Sequence, residues 1–130
     1  MAAPDRIEAR YVSFQPQTHE ILAAFGLYST KFPQDEQELA RGLLAAVEKA
    51  PFLRRFVDGG TGQLTDETRI SLQKLQENQL LITENGSFVI PTDTTKRDKL
   101  SSLTRMYFKN DGIEALKEAA IAAGRVWFPQ

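Results

Sequence analysis

The sequence of 130 residues has the length of one domain, commonly about 100 to 200 residues. Its 42% hydrophobic and 25% charged residues are typical of a globular chain and exclude the composition of a disordered one. Sixteen lysines and arginines against seventeen aspartates and glutamates leave a net charge of −1, so no overall field attracts nucleic acid or an anionic membrane. The absence of cysteine excludes disulfides, thiolate nucleophiles and cysteine metal sites.

The apolar runs of the sequence are too short for a membrane span. The purest of them, residues 43–47 and 119–123, fall far below the roughly 20 residues that a spanning helix needs. Residues 1–10 contain charged side chains and no apolar stretch, which argues against a secretory signal. We therefore expect a cytoplasmic protein without a membrane partner.

The first part of the chain predicts a strand and then a helix. Residues 7–14 are rich in aromatic and β-branched side chains and are followed by Pro16, which predicts a short strand. From Thr18 onward, apolar side chains recur at helical spacing. Thr18 is the predicted cap of this helix, and Gly26 is expected near its end.

The clearest helix start in the sequence is at Asp35. Asp35 can cap free amides, and Glu38 can complete a capping box. The apolar stripe that follows predicts a helix that stops at Pro51. Residues 52–57 then predict one or two short helical turns. The glycines of 58–62 predict a tight turn, because the lysine and serine or threonine of a phosphate loop are missing.

A helix and a hairpin are predicted next. Thr65 precedes a helix with acidic residues in its first turn, where carboxylates favour the positive end of the helix dipole. Two strand-like segments, 81–83 and 88–90, flank the dipeptide Asn85-Gly86. Asn-Gly predicts a tight hairpin turn because both residues accept a positive φ.

Two further helices are predicted in the rest of the chain. Thr92 or Thr94 can cap the first of them. Residues 110–112 predict a turn, and 113–123 predict a last helix that is closed by Gly124 in a left-handed conformation.

These elements together predict a mostly helical α+β fold over residues 1–130, with one hairpin and the amino-terminal strand beside it. Residues 35–90 resemble a winged helix-turn-helix in the order of their elements, most clearly in the helix within 65–82 and the hairpin within 83–90. This resemblance implies a recognition helix that lies in a DNA major groove and a hairpin that acts as the wing. Residues 94–130 would form a carboxyl-terminal helical extension.

The charges of the winged-helix-like segment disfavour DNA binding by its usual face. Asp66 and Glu67 stand at the front of the recognition helix, and the wing tip at 84–87 contains no lysine or arginine. If DNA is bound, the contacts are expected from side chains of two helices, namely Arg69, Gln73, Lys74, Lys96, Arg97, Lys99 and Arg105. For the basic residues of 95–109, the alternative is an ordinary solvated helix face.

Catalysis has little support in the sequence. His19 is the only histidine, and no serine stands in a nucleophile elbow. The carboxylates of 35–38 and 66–67 are explained by helix capping. We therefore predict no enzyme activity, no catalytic residue, no metal site and no cofactor.

The sequence favours a non-catalytic binding or regulatory module that acts on a protein partner or associates with itself as a homodimer. Its candidate contacts are Ile70 and Gln73 on an exposed helix face, the patch 52–56, and Trp127 and Phe128 near the carboxyl end. The two terminal aromatics have an alternative role as a lid on the core. The second hypothesis is a winged-helix transcriptional regulator with nucleic acid as its partner.

Overall fold

The computed structural model describes residues 11–12, 16–29, 31–91 and 94–129. Its elements in chain order are α1 (Thr18–Ser29), β1 (Lys31–Pro33), α2 (Glu36–Val47), the short 3₁₀-helix η1 (Pro51–Phe56), α3 (Asp66–Glu77), β2 (Ile82–Glu84), β3 (Ser87–Val89), α4 (Thr94–Tyr107) and α5 (Asn110–Trp127). These residues are mostly helical with a small antiparallel sheet, so the predicted α+β class is confirmed.

Capping groups explain where three of the helices begin. The Asp35 carboxylate accepts a hydrogen bond from the Glu38 amide at 3.0 Å, and this confirms the predicted start of α2. Thr65 caps α3 in the same way. At α1 the predicted cap, Thr18, is the first helical residue instead. There the Glu20 carboxylate accepts from the Gln17 amide at 2.8 Å.

The sheet is three-stranded, in the order β1-β3-β2. Asn85 and Gly86 both have positive φ, of 51° and 79°, so the predicted hairpin turn is confirmed. The strand beside the hairpin is β1, however, and not the amino-terminal segment 7–14. Most of that segment lies outside the described residues. Of its two described members, Tyr11 is helical and Val12 forms an isolated bridge with Phe108.

The hydrophobic core is rich in aromatic side chains from helices and sheet. Phe25, Phe32, Phe52 and Phe56 are fully buried, together with leucines of α1, α2 and α3. The apolar side chains of the patch 52–56, a predicted partner contact, are consequently part of the core, and only its two arginines reach solvent. Its predicted short helical turn is confirmed as η1.

The last helix extends beyond both of its predicted ends. Residues 110–112, predicted as a turn, are the first turn of α5, and Gly124 lies inside the helix rather than closing it. Gly112 is required by packing: a Cβ at this position would lie 2.2 Å from the carbonyl oxygen of Tyr11. The predicted turn is therefore wrong, because Gly112 permits close packing of a helix and does not mark a turn.

Candidate functional site

The outward face of α3 carries the predicted contact residues Ile70 and Gln73. Ile70 is 55% exposed, although it is a large aliphatic residue. The exposed Gln73 amide donates to the Glu77 carboxylate at 3.2 Å. The opposite face of the helix buries Leu72 and Leu75 in the core. We call the exposed face formed by Ile70, Gln73 and their exposed neighbours the α3 surface.

Two threonines hold the start of α3 against η1. Thr68 is fully buried, and its hydroxyl donates to the carbonyl oxygen of Phe56. The Thr65 hydroxyl donates to the carbonyl of Arg55 at 2.7 Å and lies 3.0 Å from the Thr68 hydroxyl. Since both acceptors are backbone atoms of η1, this pair sets the position of α3 relative to the core.

Replacing Thr68 by valine is expected to lower the free energy of unfolding by about 1 to 2 kcal/mol. Valine has nearly the same shape, but it removes the hydroxyl that bonds inside the protein. Denaturant-induced unfolding measures this loss. The matched control is Thr83→Val on the exposed strand β2, where we expect a change within about 0.5 kcal/mol. Equal effects of the two substitutions would contradict the role of Thr68.

Arg69, one of the predicted DNA contacts, is engaged within the protein. Its Nη2 and Nε donate to one oxygen of Glu36 at 2.9 and 3.1 Å, and its Nη1 donates to Asp66 at 3.0 Å. The hydrogen bonds that Arg69 donates to Glu36 are the largest cause of its raised pKa, followed by the negative charge of Glu36. A base contact by Arg69 would compete with its contacts to Glu36 of α2 and Asp66 of α3.

A shallow groove of about 350 Å³ runs between the start of α1 and α3, beside Ile70. Thr18 and Glu67 lie on its two sides, and the Thr18 hydroxyl donates to the Glu67 carboxylate at 3.4 Å. Lys74 and the buried Ser71 also line this groove. The groove therefore combines one exposed apolar side chain with a polar border of both charge signs.

The basic side chains predicted as nucleic-acid contacts on α4 do not form one outward stripe. Lys96 donates from Nζ to the backbone carbonyl of Gln79 at 3.1 Å, and Arg97 donates from Nε to the carbonyl of Pro91 at 3.1 Å. Arg105 donates to the Ser101 hydroxyl within its own helix at 3.1 Å. Lys96 and Lys99 instead line a cavity beneath α4.

At the carboxyl end, Trp127 packs into the domain. Its ring centroid is 6.0 Å from those of Phe25 and Phe32, and its Nε1–H donates to the carbonyl of Glu38 at 2.8 Å. This placement matches the alternative in which the tryptophan closes the core. Phe128 is 42% exposed, and the Lys31 ammonium lies 4.7 Å from the centre of its ring.

The cavity beneath α4, which we call the α4 cavity, has a volume of about 370 Å³ and lies between α1, α3 and α4. Its polar border includes His19, Glu20, Lys96, Lys99 and Tyr107. Its apolar wall consists of Ala23, Leu75, Leu80, Leu100, Leu103 and Phe108. No local sequence pattern predicts this cavity, because its wall comes from three helices that are far apart along the chain.

Burial and nearby charges determine the protonation of two groups at this border. Burial lowers the pKa of the half-buried His19; Glu20 partly opposes this shift, and Lys74 adds to it. The imidazole is therefore favoured in its neutral form at neutral pH. The charge of Glu20 is the main cause that raises the pKa of Tyr107, so the phenol also stays neutral.

Within the described residues, no three histidine, aspartate or glutamate side chains stand close enough together to hold a metal ion. None of the helices in this part of the chain is both long enough and apolar enough to cross a bilayer. No protein-family model matches the sequence, and neither curated proteins nor solved structures show a significant similarity to it.

Proposed function

We propose that this chain is a non-catalytic docking module that binds a protein partner through the α3 surface. The observation that carries the proposal is the exposure of Ile70 at the edge of a groove, on a helix whose other face is held in the core. An apolar centre with a polar border is the usual composition of a protein interface. Such a surface can bind by shape and desolvation without a reactive group.

The charges around Ile70 support a protein partner over a nucleic acid. Asp66 and Glu67 stand in the first turn of α3, and the guanidinium of Arg69 is held by Glu36 and Asp66. Phosphate-binding surfaces need basic groups that face outward, since these supply most of the nonspecific affinity. A mixed-charge border instead favours a polypeptide with complementary side chains.

The proposal is tested with a photo-crosslinking amino acid in place of Gln73, in extract of the source cells with and without nuclease. The crosslinked partner is then purified for affinity measurements. We expect Ile70→Asp to weaken binding at least tenfold, because it places a charge in the apolar centre of the interface. The matched control is Ile121→Asp on α5, since Ile121 is similarly exposed, at 58%. This control is expected to leave the affinity unchanged.

The outcomes of this experiment distinguish a homodimer from a complex with another protein, and they show when the proposal fails. A nuclease-resistant crosslink to a second copy of the chain would assign the surface to a homodimer. The proposal fails if the partner binds the Ile70→Asp variant as well as the wild type. It also fails if crosslinking is abolished by nuclease.

DNA binding by a winged-helix arrangement is the second candidate function. It is favoured by the strand order β1-β3-β2 together with the chain order of a helix, a strand, two helices and a hairpin. The long connection through η1 disagrees with it, because a helix-turn-helix usually joins its helices by about three or four residues. Retention of mixed-sequence duplex DNA that weakens steeply with salt, and weakens further in Lys74→Gln, would support this function.

A further inference from the structure

The α4 cavity has the size and the wall of a small-molecule site. Its volume of about 370 Å³ falls within the range of roughly 300 to 1,000 Å³ that is usual for ligand pockets. Leu75 and Phe108 are buried in its wall, and Leu103 of α4 is half-buried there. An apolar molecule would therefore replace water against these side chains.

Positively charged side chains outnumber negatively charged ones among the residues that line the cavity. Lys96 and Lys99 lie one turn apart on α4, and Glu20 of α1 is the carboxylate among the lining residues. The Glu20 carboxylate already accepts a hydrogen bond from the Gln17 amide at 2.8 Å. The Glu20 carboxylate of α1 is thus occupied by a backbone amide, whereas two ammonium groups of α4 border the cavity.

From this arrangement we propose that the α4 cavity binds a small amphipathic carboxylate. The aliphatic or aromatic body of the ligand lies against Leu75, Leu103 and Phe108. Its carboxylate lies at the border formed by Lys96 and Lys99, where it receives charge-assisted hydrogen bonds. The proposal concerns a site separate from Ile70 and does not depend on the docking function.

The border lysines decide the preferred charge of the ligand. Lys96 is held at the border by the carbonyl and side-chain oxygens of Gln79, at 3.1 and 3.3 Å. Lys99 is exposed and follows it by one turn, so it can close over a bound anion. A neutral molecule of the same length would gain the apolar contacts but not these charge-assisted bonds, and a cation would be repelled.

The test compares three probes of equal chain length: octanoate, octan-1-ol and octylammonium. Each is titrated into isotopically labelled full-length protein, and the shifts of the backbone amides are followed by two-dimensional NMR. We expect saturable shifts for octanoate on the cavity-facing parts of α1 and α4. Octanoate is expected to bind about tenfold more tightly than octan-1-ol, and octylammonium more weakly than either.

Two variants locate the binding and its charge preference. Lys99→Gln is expected to remove most of the advantage of octanoate over octan-1-ol, and Lys49→Gln, an exposed lysine after α2, is the matched control without effect. Leu103→Trp is expected to fill the cavity and abolish the shifts from all three probes, with its fold checked by the same spectra.

Three results would each overturn the proposal: no saturable shift with octanoate at millimolar concentrations, equal affinity for octanoate and octan-1-ol, or unchanged octanoate affinity in Lys99→Gln. If Leu103→Trp does not fold, the octanoate affinity of Lys99→Gln still tests the proposal. The Lys99 side chain is exposed, so its replacement leaves the core intact. The effect of Ile70→Asp on partner binding does not bear on octanoate binding in the α4 cavity, so the two proposals can fail separately.

Discussion

Replacing Gly42 by alanine is expected to lower the free energy of unfolding by about 2 kcal/mol, although alanine is the better helix former. A Cβ at position 42 would lie 2.0 Å from Nε1 of Trp127 and 2.1 Å from its Cε2, so the indole must move. That movement disturbs the hydrogen bond from Nε1 to the Glu38 carbonyl and the ring contacts with Phe25 and Phe32. Urea-induced unfolding monitored by circular dichroism measures the loss.

A double-mutant cycle identifies the clash with Trp127 as the cause. Trp127→Ala alone is expected to cost about 3 kcal/mol, because it removes a large side chain that packs on the core. In that background Gly42→Ala is expected to become stabilising by about 0.5 to 1 kcal/mol, the normal gain in helix propensity. The same substitution therefore changes sign with its neighbour.

The control for this cycle is Gly124→Ala in α5. A Cβ there would meet no atom within 4 Å, so we expect stabilisation by about 0.5 to 1 kcal/mol in the wild-type background. An equal change in the free energy of unfolding for Gly42→Ala and Gly124→Ala would contradict the close packing of Trp127 against Gly42.

Phe32→Ala is expected to cause the largest loss of stability, about 3 to 5 kcal/mol. Phe32 is fully buried, and its ring centroid lies 6.5 Å from that of Phe25, 5.9 Å from Phe88 and 6.0 Å from Trp127. It thus joins the short strand β1 to α1, the hairpin and the last helix. A loss of this size approaches the whole stability of a marginal domain, commonly about 5 to 15 kcal/mol.

Two comparisons make this expectation specific. Phe32→Leu keeps most of the volume and is expected to cost under about 2 kcal/mol. Ile121→Ala removes an equally apolar but exposed side chain, and its effect is expected to stay within about 0.5 kcal/mol. A cost below about 1 kcal/mol for Phe32→Ala, measured in urea, would contradict the central position of this ring.

Parts of the candidate sites were visible in the sequence. The sequence placed Ile70 on an exposed helix face, and its 55% exposure agrees with this assignment. The partner of Arg69 was not visible, because Glu36 lies 33 residues away. The α4 cavity was equally hidden, since its lining comes from three helices that are far apart along the chain. The single available signal was the recurrence of Lys96, Lys99 and Leu103 on one face of α4.

The sequence by itself determined the starts of α2 and α3, the turn at Asn85 and the α+β class. These features depend on capping bonds and backbone conformations within about four residues, so local side chains are sufficient. The tertiary structure decided that β1 completes the sheet, that α5 continues to Trp127, and where the α4 cavity lies. Each of these depends on contacts between distant segments, such as Trp127 with Gly42, which no local pattern encodes.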